Sequence, residues 1–199
     1  VADHNGWAVL VSAAAVNGEP VVVDRRRVPL VETGVPSQPY HHETLALSDA
    51  DAEQLLRRVK RSIAACTALA FDQLSADLAP RYRVSSVAIR RPPLALLPST
   101  VGEVHRSYHT LCRADGMLYH SAICTAARQR DWKLVLHRRG EELEKAAEAL
   151  QASTHDVERF INDLRQTLEP PWTAEHRNAF AAAIGGLRTQ SRLTTGKTR

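Results

Sequence analysis

Four short apolar stretches along the chain have the character of β-strands. Residues 6–16 and 20–31 are rich in small and β-branched side chains, and Asn17-Gly18 stands between them. Both residues of a tight hairpin turn take positive φ, which Asn and Gly adopt readily, so these stretches predict an antiparallel hairpin. Residues 82–90 and 132–137 predict two further strands, the first ending before Pro92-Pro93.

Helical periodicity accounts for most of the remaining chain. Apolar residues three and four apart predict a long helix that begins after Ser48 and ends before Pro80. Thr100 and Glu103 have the spacing of a capping box, which predicts a second long helix to about residue 130, with a break near Gly116. Three more helices are predicted over residues 140–151, 153–168 and 173–187, the last closed by Gly185-Gly186.

The order of these elements predicts the fold class. Two hairpinned strands followed by alternating helices and strands favour an α/β domain with a mixed sheet and helices on its faces. We expect one domain over residues 1–187, in which 141–167 form a helical hairpin insertion. Residues 188–199 are expected to form a disordered basic tail.

Charge is unevenly distributed along the chain. The 199 residues contain 26 Lys and Arg against 22 Asp and Glu, but four of the basic residues lie in 188–199, which leaves 1–187 neutral. This tail, including Arg188 and Arg192, is either an electrostatic hook for phosphates or a solubility device. Three cysteines without pairing spacing favour inert thiols in a reducing, cytoplasmic compartment. No apolar run is long enough to span a membrane.

Two short motifs resemble those of the ribonuclease H-like fold, particularly its bacterial Holliday-junction resolvase branch. The stretch Ala2-Asp3-His4-Asn5-Gly6-Trp7-Ala8-Val9 is similar to the acid-ended first strand and following turn of that family. Glu175 matches the first of two acids on its final helix, whereas Asn178 stands at the second. The family's acid after the middle strand is replaced by Arg90.

The resemblance implies a site that in the family binds Mg²⁺ and cleaves phosphodiester bonds. Asp3 and Glu175 would be the metal ligands, and Asn178 would offer only a neutral oxygen. Because a positive charge at Arg90 opposes cation binding, we expect a resolvase-like module with an eroded catalytic site and no metal. Such a module would bind a protein partner or nucleic acid, the latter through Arg90, Arg91, Arg188 and Arg192.

Two other function classes remain open at this stage. An active Mg²⁺-dependent nuclease could recruit Asp24 or Asp115 to complete its site. Alternatively, helices 49–79 and 100–130 could assemble a homodimer that has no role with nucleic acid. If residues that precede Asp3 are missing, Asp3 belongs to a turn and the sheet lacks its central strand.

Two smaller patterns have competing interpretations. His105 and His109 would share a helical face and, with Asp115 or His120, form a zinc site. Surface or core histidines are the more common outcome of this spacing. The run Asp24-Arg25-Arg26-Arg27 should place Arg25 and Arg27 on one face of a strand, where they protect a sheet edge or contact phosphates.

Overall fold

The computed structural model describes residues 1–92 and 95–194, with side chains inside the final helix described up to residue 187. The described chain is a mixed α/β structure in which roughly half of the residues are helical. Three strands, β1 (Ala2–His4), β2 (Trp7–Val16) and β3 (Glu19–Pro29), form an antiparallel sheet in that order. The predicted hairpin is confirmed, since Asn17 and Gly18 have φ of 53° and 86°.

A second ladder joins β4 (Ser86–Arg90) and β5 (Lys133–His137) in parallel. The two ladders lie side by side, because the amino group of Val1 donates a 2.7 Å hydrogen bond to the carbonyl oxygen of Ala88 in β4. Strand β1 pairs only with residues 7–9 of β2. Beyond this short pairing, β2 and β4 flank a cavity of about 690 Å³ lined by both apolar and polar side chains, with the apolar ones in the majority.

In the described part of the chain, six α-helices connect and cover the strands. They are α1 (Asp49–Leu78), α2 (Val101–Val104), α3 (Tyr108–Arg128), α4 (Glu142–Leu150), α5 (Thr154–Asp163) and α6 (Ala174–Thr194). The cap at Ser48 is confirmed, since its side chain accepts from the Asp51 amide. The predicted helical hairpin is present as α4 and α5, which are joined by a short turn with Gln151 in the left-handed region.

The sheet separates two apolar cores. On one face, Ala8 and Leu10 pack with α1 and α3, around Phe71 and Tyr119. On the other face, alternate residues of β2 such as Val9 pack with α4, α5 and α6. Because successive side chains of a strand point to opposite faces, the buried residues of β2 divide between the two cores. The same alternation places Asp3 and His4 of β1 on opposite faces of the sheet.

Two predicted helix boundaries are wrong. The capping box of Thr100 and Glu103 is present, but the helix it begins ends at Val104 because Ser107 is extended, and α3 starts anew at Tyr108. The predicted break near Gly116 is absent, and α3 is continuous there.

Helix α6 runs through Gly185-Gly186, where the sequence predicted its end. A Cβ at Gly185 would come within 3.0 Å of the Lys145 Cβ in α4, so here glycine serves the close approach of two helices. Residues 188–194 of the predicted tail are therefore helical. Residues 195–199 lie outside the described part of the chain.

Candidate functional site

Asp3 and Glu175, the two acids predicted to share a metal, contact different histidines. The Asp3 carboxylate lies 3.9 Å from Nδ1 of His120 in α3, and the Glu175 carboxylate lies 3.0 Å from Nε2 of His4. Because Asp3 and His4 are neighbours in β1, they point to opposite faces of the sheet. The two carboxylates therefore approach β1 from opposite faces, and this arrangement does not fit a shared Mg²⁺ ion.

Glu175 belongs to a column of stacked side chains on the α6 face. The His4 ring stacks on the Trp7 indole at 4.0 Å with 10° between the planes, and the Arg27 guanidinium lies 4.1 Å over the Trp7 ring. About two fifths of the Glu175 and His4 side chains is exposed, so their ion pair is solvated. Asn178 is exposed on α6, one turn further along.

On the opposite face, Asp3 is part of a largely buried polar group. Nε2 of His120 is 3.5 Å from the Cys124 thiol, and both residues are buried. Burial lowers the pKa of His120, with Arg128 and Arg90 adding to the effect and Asp3 opposing it. The same burial raises the pKa of the Cys124 thiol. The His120 ring and the Cys124 thiol are therefore neutral at physiological pH.

Four arginines lie together at the carboxyl ends of β4 and β5. Arg90 ends β4 and Arg91 follows it, while Arg138 and Arg139 follow β5, and all four side chains are exposed. Arg90 pairs in register with His137, and the Arg91 amide donates to the His137 carbonyl, so the two pairs lie together. We call Arg90, Arg91, Arg138 and Arg139 the arginine ridge.

Two acids, Glu141 and Glu142, border the ridge, and Glu141 forms an ion pair with one of its four arginines. Glu141 accepts from the Arg138 amide at 2.8 Å and its carboxylate is 3.8 Å from that guanidinium. Glu142 lies 3.3 Å from Nδ1 of the buried His137. Burial lowers the pKa of His137, against the opposing effects of the Arg138 carbonyl and Glu142. Nε2 of His137 is buried and has no hydrogen-bond partner.

Sequence reasoning missed these neighbours for an identifiable reason. His4, His120, His137 and Glu142 all lie beside the predicted acids, but they come from separate segments of the chain. Arg90 and Arg91 were singled out from the sequence, but Arg138 and Arg139 were not. A signal was available, since Arg138 and Arg139 directly follow a predicted strand just as Arg90 and Arg91 stand at the end of another.

Asp24 and Asp115, the acids that an active nuclease could recruit, form hydrogen bonds with other parts of the chain. Asp24 binds Arg26 at 2.6 Å on β3, and Arg26 also binds Asp77 of α1. Asp115 is fully buried against the backbone of residues 40–41. Neither carboxylate reaches Asp3.

The predicted histidine pair of a zinc site is not formed. His105 lies at the C-terminal end of α2, where its Nε2 is 2.9 Å from the Thr44 hydroxyl, whereas His109 belongs to α3. The break between the two helices removes the shared face. Within the described ranges, no three His, Cys, Asp or Glu side chains are placed to hold a metal ion together.

The arginine run of β3 behaves as an edge-strand feature. Arg25 and Arg27 lie on one face as predicted, and β3 is the outer strand of its ladder. Arg25 donates to the carbonyls of Glu169 and Pro171 before α6. The side chains of Arg188 and Arg192 are outside the described part of α6.

Comparisons with protein-family models, with curated proteins and with solved structures gave no match. No helix among the described residues has the length and apolar character needed to cross a membrane. The geometry of the site is therefore the basis for any statement about function.

Proposed function

We propose that this chain is a ribonuclease H-like module of the resolvase type that binds the phosphate backbone of nucleic acid and does not cleave it. The observation that carries the proposal is the arginine ridge at the carboxyl ends of β4 and β5. Ligands of open α/β sheets bind outside the carboxyl ends of the strands. Exposed guanidinium groups at that position favour an anionic ligand, and phosphates bind them by bidentate hydrogen bonds.

The order of the strands supports the fold assignment. An antiparallel β3-β2-β1 sheet is followed by β4 beside β1 and then by β5, parallel to β4. Helices α1 and α3 cover one face, and α6 covers the other. This mixed arrangement of strands and helices supports the proposal of a ribonuclease H-like fold.

The absence of cleavage follows from how the acids are arranged. Hydrolysis with two metal ions needs several carboxylates in one cleft, where they hold the ions about 4 Å apart. Asp3 and Glu175 lie on opposite faces of β1, Asn178 is neutral, and Arg90 occupies the position of a third acid. Binding therefore depends on the arginines and needs no divalent cation.

Fluorescence anisotropy with labelled duplex, single-stranded and four-way-junction DNA tests this function. The affinity is measured between about 50 and 200 mM salt, with EDTA and with Mg²⁺, because each phosphate contact on duplex DNA contributes about 0.9 to the salt slope. We expect Arg90→Ala combined with Arg138→Ala to lower the slope by about 1.8. EDTA should have little effect.

Matched control variants distinguish the effect of the ridge on DNA binding from the effect of removing positive charge elsewhere. Arg58→Ala with Arg61→Ala removes the same charge from the exposed side of α1 and should leave the slope unchanged. Arg188→Ala with Arg192→Ala reports the contribution of the last turns of α6. Equal losses in the ridge and α1 variants would contradict the proposal. Junction cleavage that requires Mg²⁺ would establish the nuclease instead, and a salt-insensitive dimer without DNA affinity would favour the assembly module.

A further inference from the structure

A second cluster of reactive side chains lies where the loop before α1 meets the start of α3, away from Asp3 and Glu175. Nδ1 of His41 is 2.7 Å from the Asp115 carboxylate, and Nε2 of the same ring is 3.3 Å from the Cys112 thiol. Cysteine, histidine and aspartate are thus connected in one line through the two nitrogens of a single imidazole.

The carboxylate end of this line is held rigidly. The Asp115 side chain is completely buried, and its two oxygens accept from the backbone amides of Tyr40 and His41 at 3.0 and 3.3 Å. Burial raises the pKa of Asp115, while the hydrogen bonds from His41 and these amides oppose the rise. The His41 ring also meets the Tyr108 ring edge-on at 5.2 Å, which fixes its second side.

This arrangement of partners around the two ring nitrogens favours one tautomer of His41. With the hydrogen on Nδ1 donated to Asp115, the lone pair of Nε2 points at the Cys112 sulfur. The orientation is that of a general base beside a nucleophile, with the base itself oriented by a third group. Cys112 is exposed, so a substrate can reach the sulfur.

We propose that Cys112 is a nucleophile for activated acyl groups such as esters and thioesters, with His41 as its general base and Asp115 as a positioning residue. The thiol proton passes to Nε2 of His41 while sulfur bonds to the acyl carbon. The C–O or C–S bond to the leaving group then breaks, and the leaving group takes the proton from Nε2. Water attacks the resulting thioester with His41 as base, which releases the carboxylic acid and restores the thiol.

The start of α3 favours the charge that develops in this reaction. Helix side chains lean towards the N-terminus, so the Cys112 sulfur lies over the turn that begins at Tyr108. The side chain of Ser107, which precedes the helix, does not cap this turn. The positive end of the helix dipole therefore favours negative charge that develops near Cys112.

Cys124 provides an internal comparison with the same residue types. Its sulfur is 3.5 Å from Nε2 of His120, whose Nδ1 is 3.9 Å from Asp3, but the thiol is buried and its pKa is raised. The longer contacts and the burial should leave Cys124 unreactive. Reactivity at Cys112 alone would therefore reflect geometry rather than composition.

The test is acylation of the full chain by p-nitrophenyl acetate, followed by release of p-nitrophenol and by mass spectrometry of the cysteine peptides. We expect a burst of about one product per chain and an acetyl group on Cys112, lost in Cys112→Ser. His41→Gln should slow the burst by about 100-fold, which is the usual contribution of a general base. His42→Gln is the matched control and should change the rate little.

Other outcomes would overturn the proposal. These are acylation of Cys112 at an equal rate in His41→Gln, acylation only at another cysteine, or no acylation of the folded chain. Asp115→Asn is read by ¹⁵N NMR of the His41 ring, because loss of positioning moves the ring hydrogen to Nε2 whereas loosened packing alone does not. Since DNA binding is measured separately with the ridge variants, either proposal can fail without the other.

Discussion

Replacing Gly185 tests the close crossing of α4 and α6, which fixes the position of the helix that carries Glu175. The ideal Cβ at this site would lie 3.0 Å from the Lys145 Cβ and 3.5 Å from the Lys145 carbonyl carbon. The two γ-methyl groups of Gly185→Val extend further towards the same backbone. The helices must separate, and overpacking of this kind costs about 1–3 kcal/mol.

The opposing gain is small and can be measured separately. Valine is better than glycine within a helix by roughly 0.4 kcal/mol. Gly116→Val on α3 gives this contribution alone, because a Cβ at Gly116 meets nothing within 4 Å. We therefore expect Gly185→Val to lower the free energy of unfolding by about 1–2.5 kcal/mol, and Gly116→Val to change it by less than about 0.5.

Thermal and urea unfolding of both variants against the wild type measure these differences. For a chain of this size, the expected loss corresponds to a decrease in Tm of roughly 2–10 °C. If both variants shift stability equally and in the same direction, the close crossing does not explain the glycine. If only Gly185→Val is destabilised, the continuation of α6 through Gly185-Gly186 has its physical reason.

Two further predictions concern pH and Mg²⁺. Burial lowers the pKa of both His120 and His137 in the folded chain. As the pH decreases below about 6.5, the unfolded chain therefore binds more protons than the folded chain, and the free energy of unfolding decreases. Urea unfolding at about pH 7.5 and 5.5 should show this loss, which His137→Gln reduces, whereas equal stability would contradict it. A Mg²⁺ site with a Kd of about 1 mM would add about 1.4 kcal/mol at 10 mM Mg²⁺. We expect a change in Tm below about 1 °C, equal in the wild type and Glu175→Ala, while a larger rise lost in the variant would restore the metal site.

The sequence was most informative where local chemistry determines local structure. Asn17-Gly18 and the Ser48 cap fixed a hairpin and a helix start, because each feature satisfies its own backbone within a few residues. The end of α6 was not predictable in this way. Gly185 is a helix terminator by local rules, but the neighbouring α4 backbone, about 40 residues earlier in sequence, determines its role here.

In the candidate site, too, the features that depend on local sequence could be predicted, and those that depend on tertiary packing could not. Arg90 could be predicted to oppose a cation because the argument needs only its position at the end of a strand. The opposite faces of Asp3 and Glu175 could not be predicted, since they depend on which helix packs on which side of β1. The Cys112 cluster was missed because His41 is more than 70 residues away in sequence, and the three-residue spacing of Cys112 and Asp115 is common in helices.

The two proposals concern the same end of the sheet and complement each other electrostatically. Because α3 lies between the parallel strands β4 and β5 in the chain, it begins on the side of the sheet where β4 ends. The arginine ridge is therefore on the same side of the molecule as Cys112. A phosphate-bearing ligand bound at Arg90 and Arg91 would lie on the side of the molecule where the positive end of the α3 dipole also favours negative charge. An acyl ester that carries a phosphate group should therefore acylate Cys112 faster than a neutral ester, and Arg91→Ala should reduce this preference without changing the reaction with p-nitrophenyl acetate.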